Sequence, residues 1–193
     1  MEGTNFKKST VTAKNFFSVK RLTIMAMMTA LTIIVARFCA IPINEGLRLG
    51  FDSIPVLLTG IWMGPVPAAI VGGLADVIGT LINSYGGPYF PPMTVTPMLV
   101  GVVAGIMAKC IFKGELNLWK LAVTVIVADV IGNIFYGSLA LSWYYQIILD
   151  MPQQTFIVVF LMRLTKLITV VTDTLIVWVL HGGLYNRVIK KMI

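Results

Sequence analysis

Stretches of about 20 nearly uninterrupted apolar residues, the length an α-helix needs to cross the hydrocarbon core of a bilayer, recur along this sequence from residue 21 to residue 184. Charged residues make up 12% of the chain, where an ordinary soluble domain carries about 25%, so water is not its main solvent. The expectation is an all-α integral membrane protein: one compact bundle of six transmembrane helices, near residues 21–41, 52–65, 67–84, 94–113, 118–142 and 155–184. Gly64-Pro65-Val66-Pro67 divides the short second span from the third, because proline lacks a backbone donor and clashes inside a helix. Spans two and three then form a tight helical hairpin.

Residues 1–20 hold Lys7, Lys8, Lys14 and Lys20 but no apolar run, so they read as a cytoplasmic segment ahead of a retained anchor rather than as a signal peptide. Residues 21–185 form the transmembrane domain and 186–193 a basic cytoplasmic tail. With the odd spans running outward, Lys109, Lys113, Lys120, Arg187, Lys190 and Lys191 also fall inside, and the outer loops keep only Arg37 and Arg48. That asymmetry puts both termini in the cytoplasm. It also accounts for the net charge of +7 without nucleic acid, for which no aromatic readout motif exists. Trp62, Trp119 and Trp178 near inner helix ends and Trp143 near an outer one suit the membrane interface. Cys39 and Cys110 fall on opposite membrane sides, too far apart to bridge, and read as packing residues.

Polar groups inside the spans carry the functional signal, since a charge at mid-bilayer costs a few kcal/mol or more. Asp76, Thr80 and Asn83 follow i, i+4, i+7 spacing and line one face of span three; Asp129, Asn133 and Tyr136 repeat it in span five. Arg163, Lys166 and Asp173 form a stripe in span six, with the two cations in the outer third and Asp173 read as structural. Three polar stripes imply a shared polar interior. Either it is a binding site, or Asp76 and Asp129 neutralise Arg163 and Lys166 as buried pairs. Outside it, Tyr85 to Pro92 combines glycines, prolines and the aromatics Tyr85, Tyr89 and Phe90, which suits stacking on a flat ligand. Loop one adds Glu45, Arg48 and Asp52, and loop five adds Trp143, Tyr144 and Tyr145. Together these describe an outward-facing pocket, of the usual volume of about 300–1,000 Å³, for an anionic and partly aromatic solute.

Several chemistries are excluded by what the sequence lacks. It has no Gly-x-x-x-x-Gly-Lys-[Ser/Thr] loop for ATP, no Gly-x-Ser-x-Gly elbow, and a single histidine, His181, read as an interface residue that makes no metal site. No pair of repeated halves marks a self-sufficient secondary transporter. A binding protein energised by partners fits better. For docking, Ala26 and Ala30 place small residues at i and i+4 of span one, where another helix can approach closely; Gly101 and Gly105 repeat the spacing in span four.

Three stretches carry a resemblance. They are Ala26 to Ala30; Leu47-Arg48-Leu49-Gly50-Phe51 through Pro55 and Gly60 to Asp76 and Gly79; and Gly87-Pro88-Tyr89-Phe90-Pro91-Pro92. In these, and in length and span number, the chain resembles the membrane-embedded substrate-binding (S) components of energy-coupling factor vitamin transporters, and within them the folate-specific members. The resemblance implies a bacterial plasma-membrane protein with an outward pocket closed by loops one, three and five. It implies a partner module of one transmembrane coupling subunit and two ATPases, which alone use ATP, and docking through the Ala-x-x-x-Ala motif of Ala26 and Ala30. The chain itself is then neither an enzyme nor a holder of a cofactor. A pterin edge would pair with Asp76, Asn83 or Asn133, Tyr89, Phe90, Tyr136 or Trp143 would stack, and Arg48, Arg163 or Lys166 would meet the glutamate carboxylates. The competing readings are an S component for another vitamin, such as riboflavin, pantothenate or a thiamine precursor, and a stand-alone proton-coupled transporter using Asp76 or Asp129.

Overall fold

The computed structural model describes residues 18–38, 41–44, 47–83, 88–113, 117–151, 153 and 155–184, with the backbone alone described in 41–44, 47–49, 165, 168 and 184. Helix α1 (Val19–Phe38) leads into a two-stranded antiparallel hairpin, β1 (Ile41–Asn44) and β2 (Leu47–Leu49). Its register pairs Ile41 with Leu49 and Pro42 with Arg48. There follow α2 (Ser53–Met63), α3 (Pro65–Ile82), α4 (Pro91–Ile106) continued by a π-helical turn (Met107–Ile111), and α5 (Leu118–Asp129). A π-helical segment (Val130–Tyr136) joins α5 to α6 (Gly137–Ile147), and a 3-10 turn (Leu164–Lys166) joins α7 (Phe156–Arg163) to α8 (Leu167–Leu184).

The all-helical expectation holds apart from the hairpin in loop one, where alternation of Leu47, Leu49 and Phe51 with Arg48 and Gly50 is the strand signal that helix periodicity hides. Among the described residues, four helical stretches are long and apolar enough to cross a membrane: Val19–Phe38, Pro65–Ile82, Pro91–Ile111 and Leu118–Ile147. These match the first, third, fourth and fifth of the six expected spans; the second and sixth correspond to the shorter apolar helices Ser53–Met63 and Thr169–Gly183. Helix α2, with 11 residues, reaches only about 16 Å at 1.5 Å per residue, and the last apolar stretch, Thr169–Gly183, starts after the turn that carries Lys166.

Local chemistry explains where the boundaries moved. The break between α2 and α3 is one residue, Gly64, at φ 104°, and Pro65 and Pro67 sit in the first turn of α3, where a missing N–H costs nothing. Pro91 and Pro92 likewise open α4 three residues ahead of the expected start. The π segment keeps the fifth rod unbroken to Ile147, so Trp143, Tyr144 and Tyr145 lie on α6 rather than in a loop. Arg37, expected in an outer loop, belongs to the last turn of α1.

Helix α4 is the centre of the bundle, packed against α2, α3, α5, the π segment and α6. It gets that close because its small residues face small residues: a Cβ on Gly60 would stand 2.7 Å from the Gly101 carbonyl oxygen, and one on Gly101 would stand 2.7 Å from Ala68 Cβ. Gly101 and Gly105 are therefore spent on internal packing, not on docking. Leu57, Val71, Val100, Ala104, Leu121, Val125 and Val177 fill the core around this contact. Trp62 joins them, 2% exposed, and donates from Nε1 to Nδ1 of half-buried His181 at 3.1 Å. Both residues were expected at the lipid interface; the indole tip instead finds its acceptor inside the bundle. Cys110 is an exposed free thiol, while Cys39, residues 1–17 and residues 185–193, the basic tail included, lie outside the described residues.

Candidate functional site

The site starts at two helix irregularities. Between α5 and α6 the π segment carries Asn133, whose Nδ2 donates to Asp129 Oδ1 at 2.6 Å and to Ser53 Oγ at 3.0 Å. A carboxylate only accepts, so the amide nitrogen must face it and the Asn133 Oδ1 acceptor is turned to the other side. Single-turn π-helices often mark functional positions because they re-aim side chains and loosen backbone groups. Here the Asn133 carbonyl accepts from Arg163 Nη1 at 2.7 Å. The guanidinium reaches it by crossing Gly137, where a Cβ would collide with Nη1. The 3-10 turn that follows Arg163 carries Lys166, and both residues line one cavity.

Helix α3 supplies the opposite wall. Asp76 Oδ2 accepts from Thr94 Oγ1 at 2.7 Å, and Thr94 Oγ1 in turn lies 2.9 Å from the Tyr89 hydroxyl. Pro97, inside α4, has no N–H for the carbonyl of Met93, and both residues face the same space.

Between these walls lies a cavity of about 150 Å³ lined by Asp52, Ser53, Asp76, Met93, Thr96, Pro97, Asn133, Arg163 and Lys166, together with Val56 and Val100. A second recess of about 30 Å³ shares Asp52, Ser53, Asn133 and Lys166 and ends on Asp129 and Asp173. Asp129 and Asp173, each 2% exposed, keep Oδ2 and Oδ1 respectively without a hydrogen-bond partner among the described residues. The cavity is smaller than the pocket range expected of a vitamin site. Arg48 belongs to β2, whose side chains are outside the described residues, as are residues 84–87 of the expected aromatic loop.

Of the sequence-derived candidates, the fold brings Asp76, Asn133, Arg163 and Lys166 to one cavity. Tyr89 is linked to the cavity-lining Asp76 by way of Thr94, and Phe90 packs edge-on against Tyr144 at 5.8 Å. Three others are placed elsewhere. Asn83 is exposed at the end of α3, with its carbonyl taken by Arg37 Nη1 at 2.6 Å. Trp143 is 45% exposed and Tyr136 is half-buried, and neither lines the cavity. The i, i+7 step from Asp76 to Asn83 outruns the helix, and Asn133 and Tyr136 are separated by the wider turn of the π segment. Sequence reasoning passed over Ser53, Met93, Thr94, Thr96 and Pro97. The Asp52-Ser53 pair ahead of an apolar run is a helix-start signature that would have pointed to the first of these.

The cavity thus brings two cations, Arg163 and Lys166, together with two carboxylates, Asp52 and Asp76, and the side chain of Asn133. No group of three or more His, Cys, Asp or Glu is placed to hold a metal ion among the described residues.

Residues 20–193 match the family model of the ECF transporter, substrate-specific component. The chain belongs to this family. ECF stands for energy-coupling factor, and members of the family are transporter components rather than enzymes. The chain is 31% identical over 118 residues to the folate transporter FolT of Clostridium novyi (strain NT), covering 61% of this chain and 66% of that protein, just under two thirds of its length. It is 27% identical over 135 residues to the folate transporter FolT of Leuconostoc mesenteroides subsp. mesenteroides, covering 69% of each. Its fold is similar to a crystal structure of FolT bound with folic acid, at TM-score 0.70 and 25% identity over 86% of this chain and 95% of that one. It shares its fold with another S component of a bacterial ECF transporter at TM-score 0.60, 23% identity and coverage of 86% and 96%.

Proposed function

We propose that this S component binds folate on the outer side of a bacterial plasma membrane and delivers it inward when a partner module, one transmembrane coupling subunit and two ATPases, reorients it. The observation that carries this reading is the joint presentation, in one cavity, of the carboxylates Asp52 and Asp76 and the Asn133 side chain with Arg163 and Lys166 as cations. Folate carries the complementary groups: a flat pterin with an N–H-bearing amidine edge for a carboxylate, and glutamate carboxylates for the cations. The similarity to FolT proteins supports the same substrate.

In this reading the chain crosses the membrane six times, with the short α2 and the α7–α8 rod completing the four long spans, and both termini are cytoplasmic. ATP is used by the partners alone, and no cofactor sits on this chain. Ala26 and Ala30 support the docking role, because both lie on the exposed side of α1, where Leu22, Met27, Leu31 and Ile34 are also uncovered. Small residues there let a coupling helix approach to backbone contact.

The test is uptake of labelled folate by vesicles that contain this chain alone or with the coupling subunit and both ATPases. Uptake that requires the full assembly and ATP supports the reading. Uptake driven by a proton gradient with this chain alone would replace it with a stand-alone transporter.

A further inference from the structure

We propose that Arg37 is a positioning residue for ligand capture, a strut that ties the end of α1 to the last turns of α3 and so holds the Asp76 wall of the cavity. The proposal rests on the binding reading above. Its geometry is a fork. Arg37 Nη1 donates to the Asn83 carbonyl at 2.6 Å, and Nη2 donates to Thr80 Oγ1 at 3.3 Å. The Asn83 carbonyl is at the C-terminal end of α3, where backbone acceptors have no partner within the helix and a cation is favoured. Asn83 is itself the C-cap, its N–H bonded to the Gly79 carbonyl, so the guanidinium closes a turn that the helix leaves open.

Space has been cleared for this. A Cβ on Gly79 would stand 2.9 Å from Arg37 Nη2 and 3.0 Å from Nε, so the guanidinium lies against the bare backbone of α3. Gly79 is three residues, and Thr80 four, from Asp76, so the strut grips α3 one turn from the carboxylate that lines the cavity. On its other side Asp76 is held by Thr94, from α4. Asp76 thus stands between two braces, and α1 supplies one of them although no α1 residue lines the cavity. The fork suits arginine in particular, because a lysine ammonium has no fixed pair of donors with which to span the Asn83 carbonyl and Thr80 at once.

The experiment compares wild-type protein with Arg37→Ala, Gly79→Ala, the Arg37→Ala/Gly79→Ala double variant and Arg37→Lys in detergent. Two quantities are measured: folate affinity by calorimetric titration, and hydrogen exchange of the α3 C-terminal amides without ligand. Arg37→Ala and Gly79→Ala should each weaken folate binding about tenfold and speed exchange near Asn83. The double variant should be no weaker than Arg37→Ala, since the new methyl then fills vacated space, and Arg37→Lys should recover part of the loss. Additive losses in the double variant, or wild-type affinity in Arg37→Ala, would overturn the strut. If Arg37→Ala does not fold, Gly79→Ala and Arg37→Lys decide the matter by the same readings. A wild-type protein that ignores folate would sink the binding reading, while the exchange data would still report on the strut.

Discussion

Arg163 and Asn133 are joined across the bundle by a hydrogen bond from the guanidinium Nη1 to the backbone carbonyl at 2.7 Å, made where α5 gives way to π-helix. The bond does two things at once. It gives the carbonyl a donor, and it fixes a cation at the cavity wall beside Lys166.

Removing that cation should cost affinity more than stability. A hydrogen bond to a charged group contributes about 1.5–3 kcal/mol, so Arg163→Ala should weaken folate binding by about 10- to 150-fold, and Lys166→Ala by a similar factor. Calorimetric titration of each variant checks this. Wild-type affinity in both would remove the two residues from the site.

The space over Gly137 should matter as much as the cation that crosses it. A methyl placed there collides with Arg163 Nη1, so Gly137→Ala is expected to reproduce much of the Arg163→Ala loss, about tenfold in affinity. Gly182→Ala, at a position with nothing within 4 Å, should bind like wild type and serves as the control.

Asp76→Asn keeps the shape of the wall and its acceptor for Thr94 but removes the charge. If a cationic or N–H-rich edge of the ligand pairs with this carboxylate, the variant should lose roughly tenfold or more in affinity, with the melting temperature little changed. A thermal melt run beside the titration separates the two effects.

Trp62→Phe tests the core. It keeps the ring but leaves His181 Nδ1 without its donor from Nε1. A stability loss of about 1 kcal/mol should appear as a lower melting temperature, with folate affinity unchanged.

Ala26→Leu and Ala30→Leu place bulk on the uncovered side of α1. Uptake by the full assembly should fall to background while folate binding by the isolated chain persists. Loss of binding would mean instead that these alanines pack the bundle.

The helical architecture was legible because lipid-length apolar runs and proline-bounded breaks are local signals, and Asp76, Asn133, Arg163 and Lys166 stood out because bilayers exclude such groups. What stayed hidden depends on partners distant in sequence. Nothing near Gly137 or Gly79 announces that each makes room for an arginine from another helix. Trp62 read as an interface anchor because its acceptor, His181, lies 119 residues away. The π segment shifts the helical phase after Asp129, which a regular helical spacing does not reveal; Asn133 lines the cavity and Tyr136 is not among its lining residues. Thr94 escaped notice because a threonine inside an apolar helix ordinarily bonds its own backbone, as Thr59 does with the Pro55 carbonyl.

Calorimetric titration of the purified wild-type chain with folate, beside riboflavin and pantothenate, tests the central claim most directly. Saturable binding of one folate per chain, with the other two vitamins inert, is the predicted result. Saturable binding of riboflavin or pantothenate in place of folate, or no binding of folate by protein shown to be folded, would contradict it.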